Sequence, residues 1–199
     1  MSDPGATPPV GILALQGAVE PHERALDRCG ASSLRVRTRE DLDAVDHLII
    51  PGGESTTLWH LLQHADLWEP VRSRGRDRSL AIFGTCAGAI LCGRSEVGVD
   101  PPRLDLLDVA VERNAYGRQA DSFIAAIELG PSIGGDPLEG VFIRAPRIRE
   151  VPPGVEIIAS HDGEPVAVSA GSILLATFHP ELGTDPRLHQ YFLSLPPSK

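Results

Sequence analysis

The sequence predicts an α/β protein in which a parallel sheet carries helices on both faces, and three observations lead to it. Short apolar runs, Val10–Gln16, Ser33–Arg37, His47–Ile50 and Leu80–Phe83, alternate with stretches of helical spacing. The run at 10–16 is a continuous apolar stretch, the pattern of a strand buried on both faces. Several of the runs end in a glycine turn, Gln16-Gly17, Pro51-Gly52-Gly53 and Gly84-Thr85-Cys86, as strands feeding helices do.

In order along the chain, residues 1–9 hold three prolines among polar residues and read as a flexible N-terminal tail. After the first strand, Pro21 opens a helix that runs to about Cys29 and stops at Gly30. The acidic segment Glu40–Asp46 is a surface connection or short helix between the second and third strands. Ser55 or Thr56 is expected to cap a helix to about His64 with Leu58, Leu61 and Leu62 on one face. A second helical piece covers Leu67–Arg74, and Ala87–Leu91 gives the first turns of the helix after the fourth strand. Beyond Gly93 the pattern becomes strand-rich: Val109–Glu112, Phe123–Glu128, Val141–Arg144, Glu156–Ala159, Val166–Ser169 and Ile173–Thr177. Gly130–Gly140, rich in glycine and proline, reads as a loop, and a helix over about Pro186–Leu195 closes a single domain spanning 10–195, with 196–199 as a tail.

Composition narrows the function. The chain has 199 residues, a net charge of −9 and 42% hydrophobic residues, an ordinary globular balance. That acidity argues against the phosphate attraction that dominates nucleic-acid binding. No run approaches the roughly eighteen apolar residues of a membrane helix. Three cysteines, Cys29, Cys86 and Cys92, and no signal-peptide pattern point to a reducing cytoplasm.

The chemistry concentrates at Cys86. Between a buried strand and a helix, Gly84-x-Cys86-x-Gly88 forms a nucleophile elbow with sulfur in place of oxygen, where a β-carbon at either glycine would collide with a neighbouring backbone. A helix N-terminus beside the thiol favours an anion, and the Ala87 N–H can face a developing oxyanion. Read alone, the motif fits a buried structural cysteine equally well. Phe178-His179-Pro180-Glu181 follows an apolar strand and sets an imidazole and a carboxylate on one side of an extended chain, the partners a thiol requires. Read alone the pair fits an exposed turn better; it lies 179 − 86 = 93 positions after the cysteine, and the two would meet at one sheet edge if their strands are parallel neighbours. At the turn after the third strand, backbone N–H groups around Gly53 can complete an oxyanion hole or grip a carboxylate, and Glu54 can receive an ammonium group; an ordinary turn capped by Ser55 fits the same residues.

Six segments then carry a resemblance. Residues 11–18 (GILALQGA), 51–57 (PGGESTT), 84–88 (GTCAG), 113–119 (RNAYGRQ), 142–146 (FIRAP) and 178–182 (FHPEL) are similar, in order and spacing, to the glutaminase-subunit family of pyridoxal 5′-phosphate synthases, within the class I, triad-type glutamine amidotransferases. The elbow and His-x-Glu indicate the wider class; the segments at 113–119 and 142–146 narrow it. The resemblance implies an α/β three-layer sandwich with a mostly parallel central sheet, of flavodoxin-like class I type. It implies Cys86 as nucleophile toward the side-chain amide of L-glutamine, His179 as acid-base and Glu181 as its orienting group. It implies glutamine-binding positions at Gly53, Glu54, Ser55, Arg113, Ile143 and Arg144, and an oxyanion hole at Gly53 and Ala87. The expected partner is the barrel-shaped synthase subunit, which receives the ammonia in a hetero-oligomer; no cofactor, metal, nucleic acid or membrane is expected. Two other readings fit the same residues less completely: a thiol sensor of the same shape, which leaves His179, Glu181 and Arg113 without a role, and a class I glutaminase serving another synthase.

Overall fold

The computed structural model describes residues 8–94, 101–113 and 122–197. The first half is the expected alternation: β1 (Val10–Leu13), α1 (Val19–Arg28), β2 (Ser33–Val36), α2 (Arg39–Asp43), β3 (His47–Ile50), α3 (Ser55–His64), α4 (Trp68–Arg76), β4 (Ala81–Thr85) and α5 (Ala87–Cys92). Pro21 is the third residue of α1 rather than its first, a place where its missing N–H has no helical acceptor to lose. The second half supplies β5 (Ala110–Glu112), β6 (Ser122–Leu129), β7 (Leu138–Ile143), β8 (Arg147–Glu150), β9 (Glu156–His161), β10 (Glu164–Ala170), β11 (Ile173–Ala176) and α6 (Arg187–Ser194).

Among the described residues the strands form a nine-stranded sheet in the order β2-β1-β3-β4-β11-β10-β9-β6-β7, with β5 and β8 as a separate pair. The first four pairings in that order are parallel and the last four antiparallel. Successive residues of the central strands enter opposite faces. Leu13, Leu48, Ile50 and Ile82 pack with α3, α4 and α5, whereas Ile12, Ile49, Ala81 and Phe83 pack with α1 and α6. Three layers follow directly from that period of two.

Two local expectations are corrected. β8 carries mostly charged residues and buries only Ile148, so apolar patterning could not reveal it. The loop at 130–140 ends earlier, because Leu138, Glu139 and Gly140 pair with Ile127, Ala126 and Ala125. Gly140 leaves room there for Ile127, whose Cδ1 a β-carbon would approach to 2.0 Å and force to shift.

The decisive pairing is β11 beside β4, parallel and in register from Ile173↔Ile82 to Ala176↔Thr85. The Cys86 N–H donates to Ala176 O at 2.8 Å, tying the elbow to the strand that leads to His179.

Candidate active site

Cys86 occupies the corner between β4 and α5 at φ 49° and ψ −104°, a left-handed conformation that a side chain adopts only when the surroundings impose it. The surroundings are backbone packed on backbone. A β-carbon on Gly84 would lie 2.8 Å from the Gly88 carbonyl, and one on Gly88 would lie 2.0 Å from Ile50 O. The two glycines therefore let β4, α5 and β3 approach closely and leave the thiol at the carboxyl edge of the sheet.

Beyond β11, His179-Pro180-Glu181 is not extended as the sequence suggested: Pro180–Leu182 forms a 3-10 turn with His179 as its N-cap. Proline's fixed φ favours that turn. The turn still brings the two side chains together, and His179 Nδ1 lies 2.7 Å from Glu181 Oε1. With Nδ1–H given to the carboxylate, Nε2 is the nitrogen left for the thiol. Glu181 is 3% exposed and His179 8%, so their interaction is little screened. Burial pushes the His179 imidazole down, but the Cys86 and Glu181 side chains outweigh it and lift its pKa to about 10. Burial likewise disfavours the Glu181 anion, yet His22 and then His179 keep its carboxyl below the usual range.

Cys86 and His179 open into one cavity of about 230 Å3, lined also by Gly53, Glu54, Ser55, Ala87, Arg113, Ile143 and Arg144. All ten candidate residues except Glu181 thus line a single cavity; Glu181 stands behind His179. Arg113 is the last described residue before 122, so the rest of the 113–119 segment lies outside the described residues. Arg144 has φ 42°, a second strained residue at the site, and Ile143 O lies 3.9 Å from Cys86 Sγ, within reach of a thiol hydrogen.

The turn at 52–55 differs from expectation in one respect. The cap of α3 is Glu54, not Ser55 or Thr56: its carboxylate accepts from Thr56 N at 3.0 Å and from Thr57 N at 2.7 Å. These bonds, the one from Thr57 N first, hold its pKa at about 2. Arg113 Nη2 donates to Glu54 Oε1 at 3.0 Å. Ser55, released from capping, has a buried hydroxyl with no partner among the described residues. The opposite side of the turn is held by Gln16, whose Nε2 donates to Glu54 O at 2.8 Å, and by Gly17, where a β-carbon would lie 2.0 Å from Gly52 O. The Gln16-Gly17 loop and the 52–54 turn are therefore tied directly to each other.

Behind the carboxylate lies a group that sequence reasoning passed over. His22 of α1 and His189 of α6 are fully buried, with His22 Nδ1 3.0 Å from His189 Nε2 and His22 Nε2 3.3 Å from Thr85 Oγ1. Nothing in helical spacing separates such a pair from surface histidines. Burial pushes both below the ordinary value, His189 to about 3. Both are neutral in the folded protein, whereas the unfolded chain protonates them near pH 6.5, so stability falls as pH drops below about 6.5. For His189 alone the loss at pH 5 is about 2 kcal/mol. Thermal melts between pH 7 and 5 should show the midpoint falling, with a flatter slope in His189→Leu; an unchanged slope would contradict the buried neutral state.

Residues 12–195 match the SNO glutamine amidotransferase family. Pyridoxal 5′-phosphate synthase subunit PdxT of Thermotoga neapolitana is 49% identical over 94% of this chain and 98% of that protein. The subunit of the same name from Thermus thermophilus is 50% identical over 94% of this chain and 96% of that protein. A crystal structure described as a glutamine amidotransferase superposes with a TM-score of 0.86 at 48% identity, covering 94% of this chain and 97% of that one. A glutamine amidotransferase of Thermotoga maritima, 14% identical with a TM-score of 0.58 over 92% of this chain and 82% of that one, shares the fold.

Proposed function

The chain belongs to the SNO glutamine amidotransferase family, and from that premise we propose that it is the glutaminase subunit of a pyridoxal 5′-phosphate synthase, with Cys86, His179 and Glu181 as its triad. It hydrolyses L-glutamine to L-glutamate and passes the ammonia to the synthase subunit in a hetero-oligomer. One observation supports the site assignment above the rest: the elbow thiol and an imidazole bonded to a buried carboxylate face one cavity that also holds a carboxylate–guanidinium pair.

The geometry suggests how the steps divide. The zwitterionic head of glutamine suits the Glu54–Arg113 pair, its ammonium at the carboxylate and its carboxylate at the guanidinium, with the Ser55 hydroxyl and the Ile143–Arg144 backbone beside it. Cys86 Sγ then attacks the side-chain amide carbon, and the tetrahedral oxyanion forms toward Gly53 and Ala87, whose N–H groups are suited to it. His179 gives its proton to the departing nitrogen, ammonia leaves, and a glutamyl thioester remains. Water, deprotonated by His179, hydrolyses the thioester to glutamate and restores the thiol. Glu181 keeps the imidazole aimed and stabilises its cationic form.

Ammonia released to water would be protonated and lost to the acceptor reaction, which is the physical reason for delivery to a docked partner. The Gln16-Gly17 loop and the 52–54 turn, in direct contact at the cavity rim, are where docking would act on the oxyanion hole. Cytoplasmic residence accords with three free cysteines; no helix of the described residues is long and apolar enough to cross a membrane.

A glutamine-like electrophile such as a diazoketone analogue tests the assignment. It should alkylate Cys86 once per chain, identified by peptide mass, and millimolar glutamine should suppress the labelling in the presence of the synthase subunit. Labelling that ignores glutamine would overturn the reading and favour a thiol sensor.

A further inference from the structure

The triad has an unfinished edge. Glu181 uses Oε1 for His179, but its Oε2 is buried and has no hydrogen bond among the described residues. A buried carboxylate oxygen left without a donor is costly and free to reorient. The polar atom facing it is His22 Nε2, at 3.5 Å, an electrostatic contact just outside hydrogen-bond range. The same nitrogen reaches Thr85 Oγ1, and Thr85 is the residue directly before the nucleophile. His22 thus stands between the back of the carboxylate and the base of the elbow.

Which nitrogen of His22 carries the hydrogen follows from its neighbours. If His189 Nε2–H donates to His22 Nδ1, then His22 presents Nε2–H to Glu181, and only a bare acceptor, His189 Nδ1, stays unpartnered. In the opposite arrangement a lone pair on His22 would face the carboxylate, and a buried N–H on His189 would be orphaned. The first arrangement is strongly preferred. Phe83 encloses both rings edge-on, with centroids 6.4 Å from His22 and 5.6 Å from His189, so neither ring can turn away easily. The groups facing His22 are Glu181 and His179 from the 3-10 turn, Thr85 from β4 and His189 from α6.

We propose that His22 is a positioning residue for this reaction: its Nε2–H, fixed by His189, steadies Glu181 Oε2 so that Oε1 stays aimed at His179. The inference rests on the triad reading and deepens it. While the imidazole is cationic, the carboxylate's charge is drawn toward Oε1, and the His22 Nε2–H on the Oε2 side resists rotation of the carboxylate. His22 touches neither substrate nor thiol, so its effect falls on the chemical step rather than on glutamine binding.

Glutamine substitution places an amide near the position of imidazole Nε2, and asparagine near that of Nδ1. Glutamate release is measured with the synthase subunit bound. His22→Gln should keep kcat within about threefold, whereas His22→Asn should lower it tenfold or more with KM unchanged. In a Glu181→Gln background, His22→Asn should cost less than twofold further, because the group it steadies is already altered. Should His22→Asn fail to fold, His189→Leu serves: it leaves His22 but frees its tautomer, and kcat should fall two- to fivefold at unchanged KM. Equal activity of the Gln and Asn variants, a loss confined to KM, or full additivity with Glu181→Gln would overturn the proposal, as would an unchanged kcat in His189→Leu. If Cys86→Ala turned over glutamine, the triad reading would fail instead, and the two failures are thereby distinguishable.

Discussion

Cys86→Ala is expected to leave no measurable glutamine hydrolysis, a loss of roughly 10⁴-fold or more, in a protein that still folds and still docks to the synthase subunit. The change removes a single sulfur at the edge of a cavity, where 7% of the residue is exposed. The strained elbow is held by Gly84, Gly88 and the Cys86 N–H bond to Ala176, none of which depends on the thiol. His179→Asn should fall nearly as far, since a nucleophile without its base fails as a unit with it. Glutamate release with glutamine as substrate, beside ammonia-driven synthesis by the same complex, checks both parts. Ammonia-driven synthesis should persist in each variant, and glutamine turnover above background in Cys86→Ala would remove the sulfur from the mechanism.

Gly52→Ala is expected to lower kcat by two to three orders of magnitude while the fold survives. The added carbon would stand 2.5 Å from His179 Cε1 and 3.3 Å from Cys86 Cβ. The imidazole has one way to yield, by rotating off its bond to Glu181, which spoils the aim of Nε2 at the thiol. Glycine is needed at 52 because the Cys86 and His179 side chains close over it, and no positive φ is involved. A shift of the ring by about 1 Å is enough for a loss near 10²-fold. Steady-state kinetics on the complex, with a melt to show the fold intact, decide it; a kcat within tenfold of the parent protein would mean the ring is softer than its buried carboxylate partner implies.

The two variants probe opposite ends of what the sequence could convey. Gly-x-Cys-x-Gly announced its corner because part of the steric reason for its glycines is local, and the structure bears it out in the 2.8 Å approach that a carbon on Gly84 would make to the Gly88 carbonyl. Gly52 carried no such label. Its neighbours Cys86 and His179 are 34 and 127 positions away (86 − 52 and 179 − 52), and only folding places them there. Glu54 shows an intermediate case: the turn and helix start were legible, but short polar residues are the usual caps, and a glutamate reaching back to Thr56 and Thr57 was not the default choice.

By itself the sequence determined what depends on neighbours along the chain: the alternation of buried strands and amphipathic helices, the elbow, the His-x-Glu pair and, through resemblance, the reaction class. Tertiary structure alone decided that β11 lies parallel to β4 in register, which carries His179 to Cys86, and that α1 and α6 bring His22 and His189 behind Glu181. Strand order and helix docking are settled by how whole apolar faces exclude water together. That is a property of the assembled layers, and no short stretch of residues contains it.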